Sequence, residues 1–204
     1  MYIPPAYKAP DPRAVVRDHP FATLFSAKGP ELFATATPIH FETDDAAEMR
    51  LVGHMAGANP HAASISEGDP VLAVFSGPHA YISASWYVDY PTVPTWDYVA
   101  AQAEGTIHPV DDDAGRLAIL DRTIRLAEAG NPTPWTREQA PAGKVDALLA
   151  HIRAFRIHIT ELSAATKLSQ THPAGDRARI VTGLRDRDAP GDQDVADLIA
   201  KAAP

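Results

Sequence analysis

The chain has 204 residues, of which 45% are hydrophobic and 22% charged, with no cysteine and a formal net charge of −8. That length supports one substantial core or a domain with an appendage, and the composition is that of a globular protein. Absent cysteine excludes disulfides, thiolate metal sites and a cysteine nucleophile, while the acidic balance opposes a general nucleic-acid surface. No basic-then-apolar leader opens the chain and no run of about 18 apolar residues occurs, so a cytoplasmic protein without membrane association is expected.

In chain order, residues 11–18 read as a short helix, with Asp11 as N-cap and Pro12 at the first helical position. Residues 21–26 and 31–41 form a hairpin around the turn cluster Lys28-Gly29-Pro30. Residues 48–55 read as a third strand, followed by loop chemistry with one helical turn. Residues 70–76 are a buried strand that leads into the densest aromatic stretch, GPHAYISASWYVDYPTVPTWDYVA (77–100).

That stretch reads as a strand at 79–83, a polar turn, a Pro-rich excursion at 91–94 and a second strand from 95 to 108. Proline cannot donate to a sheet ladder, so the excursion is a loop. Tyrosine and tryptophan bury large areas and carry polar tips, which makes the stretch a core wall or a ligand wall. His79, Ser83, Ser85, Thr95 and Asp97 arrive with the rings, and a dry core would have to satisfy their polar atoms internally.

Helical spacing follows at 111–130, where Leu117, Leu120, Ile124 and Ala127 share a face, and at 144–152. Phe155, Ile157 and Ile159 then alternate with Arg156, His158 and Thr160, so a strand returns to the sheet. Residues 176–185 and 192–202 close the chain as helices. Short strands without long crossover helices favour an antiparallel barrel, with a domain at 1–172 and a helical tail at 173–204.

No G-x-G-x-x-G, Walker A or G-x-S-x-G string occurs. His54 and His61 lack the H-E-x-x-H pattern, so no metal site is expected, and no catalytic residue is assigned. From the residues alone, the ligand of an aromatic and polar wall is a flat small molecule.

Six blocks go further: HPFATLFS (19–26), LFATATPIHF (32–41), LVGHMAGANP (51–60), VLAVFSGPHAYISASWY (71–87), VPTWDYVAAQAEG (93–105) and KLSQTHPAGDRARIVTGL (167–184). In this order they resemble the PaiB family, described as FMN-binding negative transcriptional regulators. The resemblance implies an α+β fold, an antiparallel split β-barrel of the FMN-binding, flavin-reductase-like type with flanking helices and a C-terminal helical segment. It further implies a homodimer with flavin-sized interface pockets and FMN as cofactor.

Under that resemblance the expected pocket residues are Thr35, Thr37, His54, Asn59, Ser83, Ser85, Trp86, Trp96 and Lys167. Thr35, Thr37 and Asn59 would give polar contacts, Trp86 and Trp96 a ring wall, and Lys167 a phosphate charge. Two positions depart from the family string: Gly57 stands where members carry arginine, and Ser163-Ala164-Ala165 replaces E-G-K. Losing a guanidinium contact to phosphate lowers the expected affinity by roughly tenfold to a hundredfold. The alternative implied function is an FMN-dependent oxidoreductase or flavin reductase of unknown substrate; direct DNA contact is disfavoured by charge.

Overall fold

Asp11 opens the first helix, its carboxylate accepting the backbone N–H groups of Arg13 at 2.9 Å and Ala14 at 3.1 Å. The computed structural model, which describes residues 1–47 and 49–202, follows it with α1 (Pro12–Asp18). The strands are β1 (Phe21–Lys28), β2 (Glu31–Phe41), β3 (Arg50–Ala56), β4 (Asp69–Ile82), β5 (Thr95–Val110) and β6 (Ile152–Lys167). The helices are α2 (Pro60–Ser64), α3 (Asp113–Glu128), α4 (Lys144–Leu149), α5 (Ala174–Arg187) and α6 (Asp192–Lys201). The strands close a barrel in the order β1-β2-β3-β6-β5-β4.

Several elements differ in extent from their sequence reading. The two strands expected at 70–76 and 79–83 are one strand, β4, because Gly77-Pro78 continues in extended conformation and does not break the ladder. The expected helix at 144–152 stops at Leu149, and β6 begins at Ile152 and runs well past the alternating segment. Glu48, the expected start of the third strand, lies outside the described residues.

Contacts divide the chain into two compact units. The first holds Met1–Asp18, Ser76–Ala101 and Ser163–Pro204; the second holds His19–Phe75 and Gln102–Leu162. In the second unit, Leu24, Ile39, Leu51, Phe75, Ile107, Phe155 and Ile157 are fully buried. There the β1–β2 hairpin turns at Gly29, whose φ of 58° lies in the left-handed region that glycine adopts freely. Arg122 of α3 fastens that helix by donating to the Phe41 carbonyl at 3.0 Å and to Asp44 at 2.7 Å. In the first unit, Ile180 and Leu184 of α5 and Val195 and Ile199 of α6 are buried, which is the helical spacing of two packed amphipathic faces.

The outer face of the second unit is apolar along three strands. In β1 the even positions Ala22 and Leu24 point inward, which turns Phe21 and Phe25 out at 66% and 39% exposure. Phe25 pairs with Ala34 on one side and Leu72 on the other, and Ala27 pairs with Leu32, itself 84% exposed. The period-2 rule thus lays phenylalanine, leucine and alanine side chains on one water-facing surface.

Candidate functional site

In the second unit the expected polar residues bond mainly to one another. Asn59 caps α2, its side-chain oxygen accepting His61 N–H at 3.0 Å, and its amide donates to Thr35 Oγ1 at 3.0 Å. Thr35 Oγ1 in turn lies 2.8 Å from Nδ1 of the buried His61, and His61 Nε2 meets Ser26 Oγ at 2.9 Å. Burial lowers the His61 pKa, which favours the neutral ring. Phe33 stacks on the ring with centroids 5.4 Å apart. Thr37 donates to the His54 carbonyl, while His54 keeps a buried Nδ1 without a partner and a pKa lowered by burial. Gly57 donates its N–H to the His151 carbonyl at 2.7 Å, and a Cβ there would stand 3.2 Å from that oxygen.

In the first unit, Ser83 caps the 3-10 turn Ala84–Trp86, with its hydroxyl 2.8 Å from that of Ser85. Trp86 lies against Gly183 of α5, where a Cβ would come within 2.3 Å of the indole, and the Arg187 guanidinium sits 5.2 Å from its ring. Trp96 is half exposed and meets Tyr81 edge-on at 6.0 Å. Lys167 turns its ammonium to Thr95 Oγ1 and, at 2.8 Å, to the Trp96 carbonyl, with the Tyr7 ring 5.7 Å away.

The loop after Trp86 is held by one carboxylate. Asp176, inaccessible to solvent in the first turn of α5, accepts the N–H groups of Val88 at 2.7 Å, Asp89 at 3.0 Å and Tyr90 at 2.8 Å. Arg179 also donates to it. Burial alone would raise its pKa, but these donors hold the carboxyl well below the usual range.

This loop borders a cleft of about 200 Å³ whose wall includes Tyr7, Tyr87, Asp97, Lys167, Ser169 and His172. Asp97 is fully buried; Oδ2 accepts the Ser169 hydroxyl at 2.6 Å and Oδ1 has no partner. Burial pushes its carboxyl up to about 6, against the downward pull of the Ser169 hydroxyl and the Lys167 ammonium. Tyr87 and His172 stack with centroids 4.6 Å apart, and the Tyr87 hydroxyl and His172 Nδ1 are also buried without partners. Burial lowers the His172 pKa, so the ring is neutral at neutral pH.

The structure therefore joins Thr35 with Asn59, Thr37 with His54, Ser83 with Ser85, and Trp96 with Lys167. It packs Trp86 against a helix. Sequence reasoning assigned no role to Asp176, Ser169 or His172, and counted Asp97 only among the polar neighbours of the rings. A signal for Asp97 existed: it shares strand parity with Val99, Ala101 and Ala103, all buried, so alternation alone places it on the inward face.

The groups present fit FMN in kind. Indole and phenol faces suit its flat ring, and the Ser83 and Ser85 hydroxyls and the Lys167 ammonium suit its ribityl and phosphate oxygens. Bound FMN would supply a redox-active ring, the protein its position and electrostatics. Among solved structures, the flavocytochrome Anf3 from Azotobacter vinelandii matches with a TM-score of 0.59 at 16% identity, over 84% of this chain and 75% of that one. The FAD and heme binding protein from Mycobacterium smegmatis matches with a TM-score of 0.53 at 19% identity, over 84% and 76%. Both likenesses show the split-barrel fold.

Among curated proteins, "Protease synthase and sporulation protein PAI 2" of Bacillus subtilis is 29% identical over 98% of this chain and 96% of its own length. An uncharacterized Emericella nidulans protein, AN0679, is 27% identical over 91% and 89%. Residues 1–161 match the family described as "Putative FMN-binding domain", which covers most of the chain. The chain belongs to this FMN-binding family, and FMN is the cofactor that membership assigns to it.

Proposed function

We propose that the protein is a homodimeric FMN-binding split barrel of the PaiB type that acts as a negative regulator through its ligand state. The observation that carries the dimer is the apolar outer face of β1, β2 and β4 in the second unit, with Phe21, Phe25 and Leu32 turned to water. A contiguous apolar sheet face of this kind is an association surface. A second copy covers it by isologous pairing, the commonest closed symmetry. Ser83, Ser85, Trp86, Trp96 and Lys167 in the first unit, and Thr35, Thr37, His54 and Asn59 in the second, are the residues assigned to the flavin reading. The net charge of −8 favours regulation through a metabolite or a protein partner over direct DNA contact.

The test is a visible absorption spectrum of the purified protein, an FMN titration followed by flavin fluorescence, and light scattering on the wild type and Leu32→Glu. A dimer that quenches FMN saturably, and a monomeric variant that quenches it less, support the proposal. A wild-type monomer that ignores FMN overturns it. NAD(P)H oxidation by the flavin-loaded protein would move the reading to an oxidoreductase.

A further inference from the structure

The cleft in the first unit shares Lys167 with the flavin reading, but Asp97, Ser169, Tyr87 and His172 form a built chemistry that the flavin reading does not use. Its floor is Asp97, fully buried, with one carboxylate oxygen on Ser169 and the other without a partner. Ser169 holds that bond from a left-handed backbone, φ 54°, which a serine adopts at a cost. On the wall stands Lys167, whose ammonium uses Thr95 Oγ1 and the Trp96 carbonyl and retains a further N–H. The buried Tyr87 hydroxyl and His172 Nδ1 lack partners on the same wall.

We propose that this cleft binds a small amino-acid zwitterion, its ammonium on Asp97 and its carboxylate on Lys167. The charges decide the class. With His172 neutral, the cleft carries one negative and one positive group, so a bare amine would face Lys167 and a bare anion would face Asp97. A zwitterion pairs both. A volume of about 200 Å³ accommodates a ligand the size of a free amino acid, and the Tyr7 and Tyr87 rings give its side chain an apolar wall. The Tyr87 hydroxyl and His172 Nδ1 supply further hydrogen-bonding groups for the ammonium or a polar side chain.

The experiment is calorimetric titration of the full-length chain with the common α-amino acids, each beside its primary amide and its N-acetyl form. At least one free amino acid should bind saturably, and both blocked forms should bind about tenfold or more weakly, since each loses one charge-assisted contact. Asp97→Asn should weaken binding by a similar factor. Should Asp97→Asn fail to fold by circular dichroism, Lys167→Gln, on a less buried side chain, carries the same expectation. No binding of any amino acid to the wild type, equal binding of the blocked forms, or unchanged binding by a folded variant would each overturn the inference. Because both readings claim Lys167, the titrations use flavin-free protein and an FMN titration is run in parallel: amino-acid binding by protein that ignores FMN upholds this inference and sinks the flavin reading, and the converse result does the reverse.

Discussion

Replacing Asp97 by asparagine should change the pH dependence of stability in a calculable way. The carboxyl has a pKa of about 6 in the folded protein against 3.8 for the ordinary group. A carboxyl raised in the folded state leaves its contribution intact at low pH, below the unfolded value, and loses it as pH climbs through the folded value. The full penalty is about 3 kcal/mol, and linkage places roughly half of it between about pH 5 and about pH 8. Asparagine keeps an acceptor for Ser169 and does not titrate, but its amide nitrogen takes the place of the unpartnered oxygen, a fixed cost of about 1–3 kcal/mol. The fixed cost cancels when two pH values are compared. Urea denaturation of both proteins should therefore show the variant gaining roughly 1–2 kcal/mol on the wild type between about pH 5 and about pH 8. The Lys167 and His172 side chains that share the cleft are present in both proteins. A stability difference that is the same at both pH values, or that moves the other way, would refute a buried Asp97 whose carboxyl is raised in the folded protein.

Other perturbations test separate parts of the structure. Gly57→Arg restores the family guanidinium at a position where the new Cβ meets the His151 backbone carbonyl at a tight 3.2 Å and the backbone must give by a few tenths of an ångström; in a variant that folds, FMN affinity by fluorescence titration should rise roughly tenfold to a hundredfold. Gly183→Ala should destabilise by about 1–3 kcal/mol, offset by up to about 1 kcal/mol of helix propensity, because its Cβ would stand 2.3 Å from Trp86; the tryptophan emission should shift with it. Asp176→Asn turns an amide nitrogen toward a backbone N–H of residues 88–90, so limited proteolysis should cut that loop faster while the barrel stays resistant.

Local physics made much of the fold legible. Asp11 followed by Pro12 announces a helix start, and Phe155, Ile157 and Ile159 against Arg156, His158 and Thr160 announce a strand with one wet face; the described chain has both. The Gly77-Pro78 pair misled because Gly-Pro punctuates turns in most contexts, and tertiary pairing of β4 outweighed it. The expected polar residues proved less free than their chemistry suggested, since Thr35 and Asn59 are consumed by the buried His61 and by the cap of α2. The cleft was the hardest to read. Asp97 and Ser169 are 72 residues apart, and no periodicity carries information over that distance.

The clamp of Asp176 on Val88, Asp89 and Tyr90 spans 88, 87 and 86 residues of chain. At about 5–20 residues per second, a ribosome delivers the carboxylate roughly 4–18 s after the amides it accepts. Throughout that interval Trp86, Tyr87 and Tyr90 lack the α5 helix that receives them, a sticky segment on a nascent chain. The last residues to be synthesised therefore set the time at which the aromatic loop ceases to be an aggregation hazard. A stop codon between Tyr90 and Asp176 leaves it one permanently.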